Sequence, residues 1–314
     1  MSGQVPASAL KIGLLGYGEV GTILARGLRE KGVGWVGAWD LLFRDPAEAP
    51  AMMRRASEHG VEACGSLEDL LARAEIVISA VTAANALEAA REAAARIRPG
   101  TFFLDLNSAS PSTKVEEAKL IDARGAHYVE AGVMASVPPY GLRVPMLLGG
   151  GQAHAIADAL VPLGFDMTVV DEKVGVASAI KMCRSLFIKG LEAIVIDSYT
   201  TARRYGVEDK VIASLAETYP ELDWERQGSY LFSRVAKHGK RRAEEMREAA
   251  VTVREAGFEP WMPAATAEKQ DWIARLAKSG LFRELGAESG WRDYADRIIA
   301  ALEKSPAKKR SGAR

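Results

Sequence analysis

Two sets of residues have types and spacings that can do chemistry. The first is Gly16-Tyr17-Gly18-Glu19-Val20-Gly21, followed 24 residues after Gly16 by Asp40. An apolar run precedes the glycines, a helical run follows them, and Asp40 closes a second apolar run. That order is the fingerprint of a dinucleotide site. Gly16 permits the tight turn, Gly18 lets a pyrophosphate approach the backbone, and Gly21 lets the helix pack close to the sheet. The helix start offers unpaired N–H groups to phosphates. Asp40 can accept hydrogen bonds from both hydroxyls of an adenosine ribose. The alternative is a glycine-rich turn that binds nothing. The second set is Lys181 with Arg184 and Ser185, inside a long apolar helical run. An ammonium is costly there. Burial and the cation one turn on both lower a lysine pKa toward a value useful for proton transfer. The competing reading is a lysine that reaches solvent or an ion pair.

These residues require particular elements to hold them. Short apolar runs at 12–15, 35–39, 76–80, 101–105, 127–130, 146–148 and 167–170 read as strands, most of them separated by helical patterns. Near-continuous apolar strands alternating with helices give a parallel sheet covered on both faces, with ligands beyond the strand C-termini. Ser66-Leu67-Glu68-Asp69 reads as a capping box, and Ser110-Pro111 as a capped helix start. After Asp171 the strand signal stops. Residues 174–204 read as one helix, apolar almost all round and therefore buried. Further helices are expected at 207–217, 222–235, 240–256, 266–279 and 291–303. The fold class is α/β: a Rossmann-type doubly wound sheet over 8–172, then an all-α domain for substrate and dimerisation over 173–304. Residues 305–314 read as a disordered tail.

Composition narrows the function further. The 314 residues carry 41 Lys+Arg and 41 Asp+Glu, a balance that gives no nucleic-acid surface. Cys64 and Cys183 lie far apart and in no metal spacing, which fits a reducing cytoplasm. The N-terminus lacks a basic segment ahead of an apolar one, so no signal peptide is expected. The apolar run at 76–87 is too short to span a bilayer.

A dinucleotide domain joined by one long helix to an all-helical domain resembles the β-hydroxyacid dehydrogenase superfamily, which includes 3-hydroxyisobutyrate and 6-phosphogluconate dehydrogenases. Three segments carry the resemblance: the glycine turn, Phe103-Leu104-Asp105-Leu106-Asn107-Ser108-Ala109-Ser110-Pro111, and Gly175-Val176-Ala177-Ser178-Ala179-Ile180-Lys181-Met182-Cys183-Arg184-Ser185. The third, with His238-Gly239-Lys240-Arg241-Arg242, looks like a branch whose helical domain is phosphogluconate dehydrogenase-like. The resemblance implies an NAD(P)-dependent oxidoreductase acting on a small hydroxy or keto compound, with Lys181 as general acid/base, and a homodimer. Arg184 and Ser185 stand where the family has paired asparagines, and an arginine there suits an anionic substrate group; a structural carboxylate pair is the other option. Glu130-Ala131-Gly132-Val133-Met134-Ala135-Ser136 corresponds to the family's substrate loop, with Met134 in the serine position and Ser136 able to replace the hydroxyl. His238 and Arg242 lie over the substrate or on a solvated helix face. Thr82 and Asn107 line the nicotinamide or cap helices. Trp261 and Met262 wall the pocket or belong to the core. Asp40 favours NAD, whereas Arg44 would favour NADP. Imine reductase-like C=N reduction and a non-catalytic dinucleotide-binding protein remain alternatives.

Overall fold

The computed structural model describes residues 6–304; the expected tail at 305–314 lies outside them. The described residues form two compact units, 6–183 with 251–257, and 184–250 with 258–304. The division falls inside the long helix, later than the expected boundary at 172/173.

The first unit holds one sheet of eight strands: β1 Lys11–Leu15, β2 Trp35–Trp39, β3 Glu62–Ala63, β4 Ile76–Ser79, β5 Phe102–Asp105, β6 His127–Val133, β7 Pro145–Gly149 and β8 Asp166–Asp171. Their order is β3-β2-β1-β4-β5-β6-β7-β8. Every neighbouring pair is parallel except β6–β7. The C-terminal ends of β2, β1, β4, β5 and β6 therefore share one edge. Two-residue β3 was missed in the sequence because it is too short to carry a period.

The helices of this unit are α1 Glu19–Glu30, α2 Ala49–Glu58, α3 Leu67–Arg73, α4 Ala86–Ala94, α5 Pro111–Asp122, α6 Ala153–Leu160 and the start of α7 Val176–Tyr205. In α1, Gly21, Leu24, Ala25 and Leu28 are buried, a 3.6-residue period that turns one stripe to the sheet. The Ser66 side chain caps α3 through the Asp69 N–H, and Ser110 caps α5 through the Thr113 N–H, with Pro111 opening the helix.

The second unit contains the rest of α7 and α8 Glu208–Thr218, most of α9 Trp224–Glu255, α10 Trp261–Lys278 and α11 Trp291–Lys304. Its core gathers Tyr199, Trp291, Phe232 and Tyr294, with Tyr199 edge-on to Trp291 at 4.8 Å. Three expectations change here. The break expected near Gly239 does not exist: α9 runs straight through, and a Cβ at Gly239 would lie 2.8 Å from the Gln270 carbonyl oxygen of α10. This glycine is a slot for a neighbouring helix. Next, α7 is not buried all round, since Phe187 is 73% and Ile194 52% exposed. Its inward face also carries charge, with Lys189 and Glu192 buried on the same helix as Val195, Ile196 and Tyr199. Finally, Trp261 and Met262 are exposed, so neither belongs to the core.

Candidate active site

The glycine turn leaves β1 and enters α1. Gly16 has φ +98°, a conformation that L side chains rarely adopt, and a Cβ there would strike the Ala80 carbonyl at 2.7 Å. At Gly21 a Cβ would sit 2.0 Å from the Gly16 carbonyl oxygen, so the helix closes directly onto the turn. Gly18, between them, has none of the described residues within 4 Å of a Cβ position. That open space above the backbone, at a helix start, suits a pyrophosphate. Glu19 and Val20 begin α1.

Asp40 follows β2. One carboxylate oxygen accepts the Tyr17 N–H at 2.7 Å and the other accepts the Leu42 N–H at 2.9 Å. The acid thus fixes the glycine turn to the second strand. Each oxygen retains a lone pair for a ribose hydroxyl. The Tyr17 ring is turned away from the edge into the core, beside Phe43 and with its hydroxyl 3.4 Å from the His59 Nδ1. Arg44 lies over the Trp39 ring at 5.6 Å.

Thr82, after β4, is exposed and its side chain caps nothing. Asn107, after β5, is buried. Its backbone N–H goes to the Asp105 carboxylate and its side-chain N–H₂ to the Ser79 hydroxyl, both at 2.9 Å. Its side-chain oxygen is buried with no hydrogen-bond partner among the described residues, which leaves an acceptor open to a donor.

Asp105 belongs to a fully buried network that the sequence did not reveal. Lys114 Nζ lies 2.5 Å from Asp105, and the Tyr128 hydroxyl lies 2.9 Å from an Asp105 oxygen and 2.7 Å from a Glu117 oxygen. Burial pushes Asp105 up, but the Lys114 charge together with hydrogen bonds from Glu117, Lys114 and the Asn107 N–H outweighs it and holds the carboxyl below its usual range. Burial, followed by the Asp105 charge, pushes Glu117 up to about 9, so it is neutral at pH 7. Lys114 and Glu117 are three apart on the inward face of α5, a spacing that also fits an ordinary solvated helix pair.

Met134 and Ser136, just beyond β6, are half-buried. Lys181, on α7, is also half-buried and belongs to the same unit. A Cβ at Gly132 would be 3.0 Å from the Ala177 carbonyl oxygen and 3.5 Å from the Lys181 Cβ. The bare glycine therefore lets the Ala177 backbone and the Lys181 Cβ close against the strand that leads to Met134 and Ser136. Nothing in the sequence around Glu130 announces a role for it. It is completely buried and accepts the N–H groups of Gly175 (2.6 Å), Ala177 (3.1 Å) and Ser178 (3.2 Å). Its only signal was an acid ending an apolar run, with partners more than forty residues away.

The remaining expected residues lie in the second unit. Arg184 is exposed. Ser185 is buried, and its hydroxyl accepts from Lys189 Nζ at 3.0 Å; that ammonium also pairs with Glu245 at 2.7 Å. Arg242 is buried in a two-pronged pair with Glu192, which also accepts from Gln270 at 3.1 Å. These contacts tie the helices to one another and turn Ser185 and Arg242 toward the unit's interior. His238 is half-buried in the middle of α9, not near a helix start.

Comparison with known proteins follows the same division. Residues 11–163 match the NAD binding domain of 6-phosphogluconate dehydrogenase, and residues 202–273 match a domain of unknown function, DUF1932. A conserved hypothetical protein of Sinorhizobium meliloti 1021 is 36% identical, with 93% of this chain and 96% of that chain covered and a TM-score of 0.73. The conserved protein MTH1747, of unknown function and described as structurally similar to 3-hydroxyacid dehydrogenases, is 34% identical, with 85% and 99% covered and a TM-score of 0.65. Human mitochondrial 3-hydroxyisobutyrate dehydrogenase is 23% identical over 67% of this chain, and the match spans 62% of that enzyme. The dinucleotide taken by the first unit is NAD or NADP.

Proposed function

Because the chain belongs to the β-hydroxyacid dehydrogenase superfamily, we propose that it is a dehydrogenase or reductase acting on the CH–OH or keto carbon of a small, anionic substrate. The observation that carries this reading is Lys181, set against the Gly132 backbone in the unit that holds the dinucleotide turn. Bound nicotinamide supplies or accepts the hydride. Gly16, Gly18 and Gly21 hold the pyrophosphate, Asp40 the ribose, and Thr82 and Asn107 the nicotinamide end. Lys181 gives or takes the proton on the substrate oxygen. Met134 and Ser136 bound the substrate. Arg184, exposed and three residues after Lys181 on the same helix, is the cation for the substrate's anionic group. With Ser185 and Arg242 held by Lys189 and Glu192, Arg184 is the better candidate for recognition. Asp40 favours NAD, since a carboxylate repels a 2′-phosphate.

Replacing Lys181 with alanine is the direct test. Oxidation of 3-hydroxyisobutyrate, L-serine or glycerate by the active wild-type protein should fall by a factor of ~10² or more in Lys181→Ala, with NADH affinity within twofold. Retained turnover removes the lysine from the chemistry. Reduction of 1-pyrroline with no turnover of any hydroxy acid would point to C=N chemistry, for which the lysine offers no argument. NADH binding without turnover of either class would leave a dinucleotide-binding protein.

The exposed apolar side chains of α7 support a homodimer. No helix among the described residues is long and apolar enough to cross a membrane. The two cysteines are free, one buried and one exposed, which agrees with a cytoplasmic setting.

A further inference from the structure

We propose that Glu130 is a positioning residue for Lys181, setting the start of α7 so that the lysine's proton-transferring amine is correctly placed. This rests on the reading of Lys181 as the acid/base.

A helix leaves its first N–H groups without internal partners. At the start of α7 the residue before Val176 is Gly175, whose φ of +104° allows the turn but which has no side chain to cap with. Glu130 supplies the missing acceptor from β6. One of its oxygens accepts from Gly175 and Ala177, and the other accepts from Ser178. A carboxylate at a helix start also opposes the positive end of the helix dipole, and its bonds are charge-assisted. The carboxylate is itself confined, because a Cβ at Gly149 on the neighbouring strand would reach its Oε1 at 2.5 Å.

Two residues along β6, Gly132 sets the second point. Its missing side chain lets the Ala177 carbonyl come within 3.0 Å of where a Cβ would be. Ala177 is thus held at its N–H by Glu130 and at its carbonyl by the bare backbone of Gly132. Lys181 lies four residues on, one turn above Ala177 on the same helix face. A tether and a close contact, two residues apart on one strand, together fix where the lysine stem begins. A shift of about 1 Å at a reacting group is enough to cost ~10²-fold in rate.

A double-mutant cycle tests the idea, with 3-hydroxyisobutyrate and NAD as the probes. Glu130→Gln preserves the shape but replaces one acceptor with an N–H₂ that faces N–H groups. The expected result is a kcat at least tenfold lower, with KM and the NADH dissociation constant within twofold. The Lys181→Ala/Glu130→Gln double variant should be no slower than Lys181→Ala alone, because Glu130 acts through the lysine. Glu130→Asp, which keeps the charge, should recover part of the loss; if Glu130→Gln does not fold, the Asp variant enters the cycle. Additive losses, or a wild-type kcat in Glu130→Gln, overturn the proposal while leaving Lys181 in place. Full turnover in Lys181→Ala instead removes the parent reading. If the wild-type protein does not oxidise the probe, trace labelling with acetic anhydride, read by peptide mass spectrometry, decides. Lys181 should then react at least threefold faster in Glu130→Gln, with the exposed Lys119 and Lys210 unchanged. Unchanged labelling of Lys181 overturns the proposal.

Discussion

Gly18 and Gly21 are both glycine, but for reasons that differ and can be separated. A Cβ at Gly21 would collide with backbone, whereas one at Gly18 would meet only open space. Gly21→Ala should therefore cost about 1–3 kcal/mol of stability and weaken NADH binding with it. Gly18→Ala should leave the melting temperature within ~1 °C, because it disturbs no packing, yet still weaken NADH binding. Thermal melts beside fluorescence titrations check both, and unchanged affinity in Gly18→Ala would place the phosphates elsewhere. For Asp40, removing the charge while keeping an acceptor should alter preference more than fold. Asp40→Asn is expected to shift the NADPH:NADH affinity ratio about tenfold toward NADPH, equivalent to ~1.4 kcal/mol, measured by paired titrations. These residues were legible in the sequence because the chemistry of a dinucleotide turn is local: glycine spacing, a strand before it and an acid after it. Glu130 was not, since the groups it holds are distant in sequence and are backbone N–H groups that any residue would offer.

At the scale of single elements, the Asp105–Lys114–Tyr128–Glu117 network makes a prediction about pH. Burial beside the Asp105 charge raises the folded-state pKa of Glu117 from its ordinary 4.5 to about 9. Its contribution to stability is therefore complete below the unfolded value and is lost as pH rises toward the folded one. Stability should decline between about pH 5 and pH 9, by up to ~1.4 kcal/mol per pH unit from this group. Glu117→Gln should flatten that decline; denaturant melts at pH 5, 7 and 9 read it, and an unaltered slope would show that Glu117 is ionised in the folded protein. The sequence placed α5 correctly from Ser110 and Pro111 but could not say that its Lys and Glu point inward, because charged residues at that spacing normally face water. Gly239 misled in the opposite direction. A glycine beside a basic run reads as a helix boundary, yet here it is the spot where α9 lets the Gln270 carbonyl approach. Propensity argues for a break, and packing inside the helical unit overrides it.

For the molecule as a whole, the βα alternation made the sheet legible, since parallel strands buried on both faces read as continuous apolar runs. The exposure along α7 was not legible, because an apolar helix looks the same in sequence whether its own chain or a second copy covers it. If a second copy covers it, Phe187→Asp should yield a monomer by light scattering while wild type is a dimer; a wild-type monomer refutes the assembly. One departure from parallel order has a consequence for how such a protein can diversify. The β6–β7 pair is a hairpin, anchored from Glu130↔Gly149 to Val133↔Met146, and its connecting segment carries Met134 and Ser136. Leu142, deeper in that segment, is buried against α1, where a Cβ at Gly27 would touch it. The exposed stretch at 138–140 between these fixed points is open to insertion, and doubling a flexible loop adds only ~0.6 kcal/mol of closure entropy. Lineages can therefore lengthen or trim the chain at this point without reordering a strand or moving the lysine.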